Sequence, residues 1–216
     1  MSVYDLCVVT DARLSRGRGH VQVAEAALRG GATMIQLREK EASTRSLVTA
    51  GEQLRAMTRG AGVPLIVNDR IDVTLAVDAD GAHVGQDDMP AALSRRLIGP
   101  GRLLGVSTTT LDEALCGEQD GADYLGVGPI FPTGSKADAA PPMGLDGLAA
   151  VAAQVRIPVI AIGGISLENV EAVIGAGADG VAVISAVVSA ADIESAARLL
   201  RARITAAKSR REAMAR

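Results

Sequence analysis

The chain has 216 residues, 48% hydrophobic and 22% charged, with a formal net charge of −3. It holds three aromatic side chains, Tyr4, Tyr124 and Phe131, against 24 glycines and a surplus of Ala, Val, Ile and Leu. That balance excludes the stacking platforms of a single-stranded nucleic-acid binder, any global attraction to nucleic acid or anionic membrane, and an ordinary all-β sandwich. Eight short apolar runs follow in chain order, at 6–10, 33–37, 65–68, 82–85, 103–106, 124–127, 159–162 and 180–184. Their apolarity is continuous rather than alternating, which marks strands buried on both faces in a parallel sheet beneath helices. Segments of helical period lie between them at 21–28, 47–57, 111–115, 145–155, 170–174 and 193–204. Eight strand–helix units share the chain at about 27 residues each, with no room for a second domain. The pattern predicts an α/β protein closed as one (β/α)8 TIM barrel over residues 1–216, in preference to an open doubly wound sheet.

Smaller signals agree with this reading. Gly-Ala-Thr at 31–33 and Gly-Ala-Asp at 121–123 and 177–179 stand between a helix and the next strand, where glycine permits a left-handed C-cap. Cys7 and Cys116 have no CxxC spacing and read as reduced core thiols. No stretch reaches the roughly 18 apolar residues of a membrane span. The N-terminus lacks the features of a secretory signal, so the chain reads as cytoplasmic. Residues 198–216 hold seven basic side chains and one acid, Glu212. This basic tail, helical over about 205–216, reads as the solvated end of the last helix rather than a nucleic-acid or membrane contact.

In a parallel barrel the site is built at the C-terminal ends of the strands. After the second run come Gln36, Leu37, Arg38, Glu39 and Lys40. Gln36, Arg38 and Lys40 share parity, and an amide with two cations on one side suits a pyrophosphate, with a solvated loop as the competing reading. After the third run come Asn68 and Asp69, and after the fourth Gly85, Gln86, Asp87 and Asp88. Adjacent strands lie about 5 Å apart, so carboxylates at these ends can share one Mg2+ with substrate oxygens, although each also suits a helix N-cap. Ser107 ends the fifth run and would donate to a phosphate or serve a turn. The longest irregular stretch, 126–142, carries Thr133, Gly134, Ser135 and Lys136, hydroxyls and amides beside a cation, on what reads as a mobile flap. Gly163 and Gly164 follow the seventh run; Ile184 and Ser185 follow the eighth. Loops after strands seven and eight often bind phosphate, and glycines let backbone amides approach it. His83 reads as a satisfied core imidazole and His20 as a surface residue. No Ser-His-Asp set or Cys-His pair is evident, so the inventory suits two phosphate groups, one metal and electrostatic stabilisation.

The ordered motifs then converge. Gln-Leu-Arg-Glu-Lys at 36–40, Asn-Asp at 68–69, Gly-Gln-Asp-Asp at 85–88 and Gly-Val-Ser at 105–107 come first. Asp-Tyr-Leu-Gly-Val-Gly-Pro-Ile-Phe-Pro-Thr at 123–133 and Ile-Gly-Gly-Ile at 162–165 complete a set that resembles the thiamine phosphate synthase family over nearly the whole chain. The resemblance implies a TIM-barrel transferase. It would join hydroxymethylpyrimidine diphosphate to a thiazole phosphate (or its carboxylate), giving thiamine phosphate and pyrophosphate by dissociative, Mg2+-assisted loss of pyrophosphate. It implies that Gln36, Leu37, Arg38, Glu39, Lys40 and Asn68 hold the pyrimidine diphosphate. Asp69 and Asp88, rather than Asp87, would bind Mg2+. Ser107 and Lys136 would contact the pyrimidine substrate and its pyrophosphate. Thr133, Gly134, Ser135, Gly164, Ile184 and Ser185 would bind the thiazole phosphate. Arg38, Lys40, Ser107 and Lys136 would carry the catalysis. The chain departs from the family's frequent Thr-x-Thr-Lys at Ser135, and has Thr109 where the family often has His. A related thiazole tautomerase uses a His in that region, so Thr109 argues against a tautomerase. A non-catalytic thiazole phosphate-binding or regulatory barrel is the alternative. Small-molecule substrates are the expected partners, nucleic acid and membrane are not, and a homo-oligomer stays open.

Overall fold

A computed structural model describes residues 2–135 and 140–214. Among them, the apolar runs form eight parallel strands: β1 (Leu6–Val9), β2 (Met34–Leu37), β3 (Leu65–Asn68), β4 (Gly81–Val84), β5 (Leu103–Thr108), β6 (Tyr124–Val127), β7 (Val159–Ile162) and β8 (Gly180–Val183). Each pairs with its sequence neighbour, and β8 returns to β1 with Cys7 opposite Ala182, closing the barrel. The helices are α1 (His20–Arg29), α2 (Thr44–Ala61), α3 (Ile71–Ala76), α4 (Ala91–Ile98), α5 (Leu111–Gln119), α6 (Gly144–Gln154), α7 (Val170–Gly175), α8 (Ser185–Val188) and α9 (Ile193–Met214).

The strands fall where continuous apolarity places them. β5 runs through Thr108, two residues past its apolar run, and so includes Ser107. Three helices were not anticipated. α3 and α8 have six and four residues, too few to show a helical period. α4 has eight residues and buries only Ser94 and Ile98, little more than two turns in which to read a period. Gly31, Gly121 and Gly177 all have positive φ, at 90°, 92° and 113°, as their repeated place after a helix suggests.

One sequence reading is corrected. Cys7 is buried in β1, and burial pushes its thiol up to about 12. Cys116 is exposed instead, because the inward positions of its helix are Ala114 and Gly117. The basic tail is helical through Met214 and largely exposed over residues 205–214, with one face of its helix docked on the barrel. α9 buries Ile193, Ala197, Leu200, Ile204 and Ala207, and packs against α7 and α1. Arg201 reaches the buried carboxylate of Asp5 at 2.8 Å, and Lys208 binds the same carboxylate. Arg203 and Arg210 pair with Glu171 of α7 at 2.9 and 2.5 Å. Arg211 donates to the carbonyls of Ile174 and Ala178 at 3.0 and 2.9 Å. No helix among the described residues is long and apolar enough to cross a membrane.

Two ring side chains occupy the barrel interior below its open end. His83 and Tyr124 lie with ring centroids 5.5 Å apart. They fit because the neighbouring strand is bare at Gly105, where a Cβ would stand 2.2 Å from Tyr124 Cζ and 2.3 Å from His83 Nδ1. Both rings are held on two sides, so neither can move aside. Gly105→Ala should therefore destabilise the fold by about 1–3 kcal/mol through overpacking. Urea unfolding measures this, and an unchanged midpoint would contradict the packing described.

Candidate active site

All eight strands point one way, so their C-terminal ends share one rim. A cavity of about 340 Å3 opens there. Arg38 and Lys40 reach it from the end of β2, Asn68 and Asp69 from β3, and Gln86, Asp87 and Asp88 from the segment after β4. Ser107 and Thr109 enter from β5, Thr133 and Ser135 from the segment after β6, Gly164 from β7, and Ile184 and Ser185 from β8. A space of about 20 Å3 lies beneath, lined by Gln36, Arg38, Asn68, His83, Ser107 and Tyr124 among others. It is large enough for about one water molecule. Leu37, of opposite parity to Gln36 and Arg38, is fully buried and lines neither space. Glu39 and Gly134 also lie off the cavity. Lys136 falls outside the described residues, as does part of the expected flap, at 136–139.

Arg38 is a closely confined charge on the rim, with a side chain only 5% exposed. Its Nη1 donates to Asp11 Oδ2 at 2.7 Å, and its backbone N–H reaches Thr10 Oγ1 at 3.3 Å. Its Nε–H is buried with no partner among the described residues. Asp11, itself 4% exposed, is a residue that sequence reasoning missed. Its one signal was position, directly beyond the first strand and beside the second. His20 is likewise not the surface residue expected. Its side chain is 15% exposed, with Nδ1 2.8 Å from Thr10 Oγ1 and Nε2 3.6 Å from Glu39. The first turn of α1 leans over the ends of β1 and β2, and this buries the ring.

The two carboxylates singled out for metal are not helix caps. The N-cap of α3 is Arg70 and that of α4 is Pro90, so neither Asp69 nor Asp88 has that role. Asp69 instead takes a left-handed conformation, φ 64°, with its N–H on the His83 carbonyl at 2.7 Å. Asp tolerates that region better than most residues, and such positions gather at functional sites. Asp88 Oδ2 accepts the Gly85 N–H at 2.7 Å, which fixes the carboxylate on the rim.

His83 is buried, as its place in the fourth run suggested, and it is tied to the site. Its Nε2 lies 2.8 Å from Ser107 Oγ and its Nδ1 3.1 Å from the Tyr124 hydroxyl. Burial raises the Tyr124 phenol well above its ordinary pKa, so it stays protonated. Across the cavity, Ser135 Oγ and Ser185 Oγ stand 3.5 Å apart. Gly163 and Gly164 have a packing reason to be glycine. A Cβ on Gly163 would stand 2.6 Å from Pro129 Cα, and one on Gly164 2.7 Å from Phe131 Cβ.

Cations and a pair of hydroxyls around one cavity at the C-terminal rim mark the class as a (β/α)8 enzyme that handles phosphorylated substrates. Comparison with known proteins narrows this. The model of the thiamine monophosphate synthase family matches residues 6–187, and the chain belongs to that family. It is similar to the thiamine-phosphate synthase of Chloroflexus aurantiacus, 64% identical over 93% of this chain and 92% of that one. It is also similar to that of Moorella thermoacetica, 56% identical over 96% and 99% of the two chains. Among solved structures, the thiamine phosphate pyrophosphorylase of Pyrococcus furiosus superposes with a TM-score of 0.89 at 44% identity, covering 95% of this chain and 97% of that one.

One pH dependence follows from the rim. Burial lowers the His20 pKa below its ordinary 6.5, against the opposing pull of Glu39 and Asp11. The unfolded chain therefore takes up this proton at higher pH than the folded protein. The resulting stability is complete above the unfolded pKa and is lost as pH falls below it. The melting temperature should drop between about pH 7 and 5.5, and drop less in His20→Gln. Identical pH profiles for the two proteins would contradict this placement of His20.

Proposed function

We propose that this chain condenses hydroxymethylpyrimidine diphosphate with a thiazole phosphate to give thiamine phosphate and pyrophosphate. The observation that carries the reading is the half-paired, buried Arg38, which lines one cavity together with Asp69, Asp88, Ser135 and Ser185. The buried cation suits a diphosphate and the hydroxyl pair a monophosphate. The names of the relatives support the same reaction. A non-catalytic thiazole binder would need neither the buried cation nor the acidic pair.

The chemistry asks little of a side-chain base. The bond between the pyrimidine methylene carbon and the diphosphate oxygen breaks, and the electron pair leaves with pyrophosphate. The thiazole ring nitrogen then gives its lone pair to the methylene cation, forming the new C–N bond. The developing charge is on the leaving group. Arg38 and Lys40 would stabilise it there, with Lys136 in the same role. Asn68 and Gln36 would orient the pyrimidine diphosphate. Ser107, held by His83, would donate to the same substrate, while Thr133, Ser135, Gly164, Ile184 and Ser185 would seat the thiazole phosphate. A closed pocket would keep water from the cation.

The donor set on the rim fits Mg2+. No group of three His, Cys, Asp or Glu side chains gathers for a metal among the described residues. Two carboxylates at adjacent strand ends are what Mg2+ commonly takes when substrate phosphate oxygens complete its shell. Asp69 and Asp88 would hold it. When bound, it would add positive charge beside the departing pyrophosphate. The same reading takes the whole chain as one domain, in keeping with the docking of α9. It also places the enzyme in the cytoplasm, which the two unpaired cysteines suit.

Incubation with both substrates and Mg2+ should yield thiamine phosphate and pyrophosphate in equal amounts. Ligand binding without product would favour the non-catalytic alternative. Arg38→Ala should lower turnover about 10²–10³-fold, the scale of losing one charge-stabilising donor. Near-wild-type turnover in that variant would remove Arg38 from the mechanism. Asp69→Asn should move the Mg2+ titration of activity to higher concentration, and an unaltered titration would exclude Asp69 as a ligand.

A further inference from the structure

The loop joining β1 to α1, residues 10–19, contributes nothing to the cavity wall. One end nonetheless holds a residue that does, and the other holds the segment that follows α8, whose first residue does. At its start, Asp11 grips Arg38 through Nη1 at 2.7 Å, both side chains being sealed from solvent. At its other end, Arg18 reaches the chain just past α8. Its Nη2 donates to the carbonyls of Val188 and Ala190 at 2.9 and 2.8 Å, and its Nη1 to that of Ala191 at 3.4 Å. Ser189 Oγ returns a hydrogen bond to the Leu14 carbonyl at 3.0 Å. Ser185, four residues before Ser189, faces the cavity. Within the loop, Ser15 binds the Ala12 carbonyl at 2.8 Å, and Arg18 Nε binds the Ser15 carbonyl at 2.7 Å. The loop is therefore cross-braced between its two grips.

We propose that this loop is a brace that positions both anion-binding ends of the site, Asp11 by orienting Arg38 and Arg18 by anchoring the segment that carries Ser185. The proposal rests on the assignment of those two ends to the diphosphate and the monophosphate. Asp11 and Arg18 are positioning residues, since neither touches the cavity. The sign of one effect separates positioning from simple electrostatics. A carboxylate near an anion site repels the anion. If Asp11 only contributed charge, neutralising it would tighten pyrophosphate binding. If it orients Arg38, the loss of the charged grip weakens binding.

The test measures KM for each substrate and the inhibition constant of inorganic pyrophosphate in Asp11→Asn and Arg18→Ala. Asp11→Asn should raise the pyrimidine diphosphate KM and the pyrophosphate inhibition constant about tenfold, with the thiazole phosphate KM changed less than about twofold. Arg18→Ala should do the reverse, raising the thiazole phosphate KM about tenfold. If Arg18→Ala does not fold, Arg18→Lys carries the test, because it keeps the charge but loses the fork that spans the carbonyls. Parallel changes in both KM values, or tighter or unchanged pyrophosphate binding in Asp11→Asn, would overturn the proposal. Arg38→Ala and Ser185→Ala serve as controls. If they leave their own substrate's KM unmoved, the site assignment itself fails. If they move it while Asp11→Asn and Arg18→Ala do not, the brace alone fails.

Discussion

A guanidinium sealed inside a protein is costly unless its charge is answered. Arg38 is answered in part. Asp11 pairs with one nitrogen at 2.7 Å, and the Nε–H is left with no partner among the described residues. The desolvation cost of such a group is several kcal/mol before compensation. Part of that cost remains in the resting enzyme, and an arriving oxyanion would remove it. Ligand binding and local stability are then linked, because whatever binds the folded state alone also stabilises it. The neighbours of Arg38 share this constraint. Thr10 receives its backbone N–H, and His20 covers Thr10.

Separate parts of the barrel divide the work. At the C-terminal rim, Arg38 is held short of full pairing among the described residues, beside a cavity. Elsewhere charges pair with one another: Asp5, before β1, takes both Arg201 and Lys208, and Glu171 on α7 takes Arg203 and Arg210. Much of this second set is solvent-exposed and contributes little per pair. The Asp5 cluster is buried, and it fastens α9 across the start of β1. A barrel with parallel strands allows this separation, since groups that bind substrate and groups that hold the fold never compete for the same surface.

Much of this was legible in the sequence, for identifiable reasons. Buried parallel strands are apolar throughout, so all eight were visible. Arg38, Lys40, Asn68, Asp69, Asp88 and Ser107 were visible because a strand end confines where a polar side chain can point. Leu37 and Glu39 entered only as members of a contiguous motif, and strand alternation turns both away from the cavity. Asp11, His20 and Arg18 were hidden because they act on other protein groups. A loop has no period to reveal such partners, and only the three-dimensional closure of β8 onto β1 brings Arg18 to residues 188–191. Cys116 was misplaced because a nine-residue helix holds too few turns to fix its inward face from sequence.

The central claim is that Arg38 is held by Asp11 with its Nε–H kept for a phosphate oxygen. The most direct measurement is the 15N–1H NMR signal of the Arg38 Nε–H, assigned by its loss in Arg38→Lys, during titration with inorganic pyrophosphate and Mg2+. This account expects the signal to move downfield and its exchange with water to slow as the site fills. A signal that stays in place while pyrophosphate demonstrably binds would contradict it.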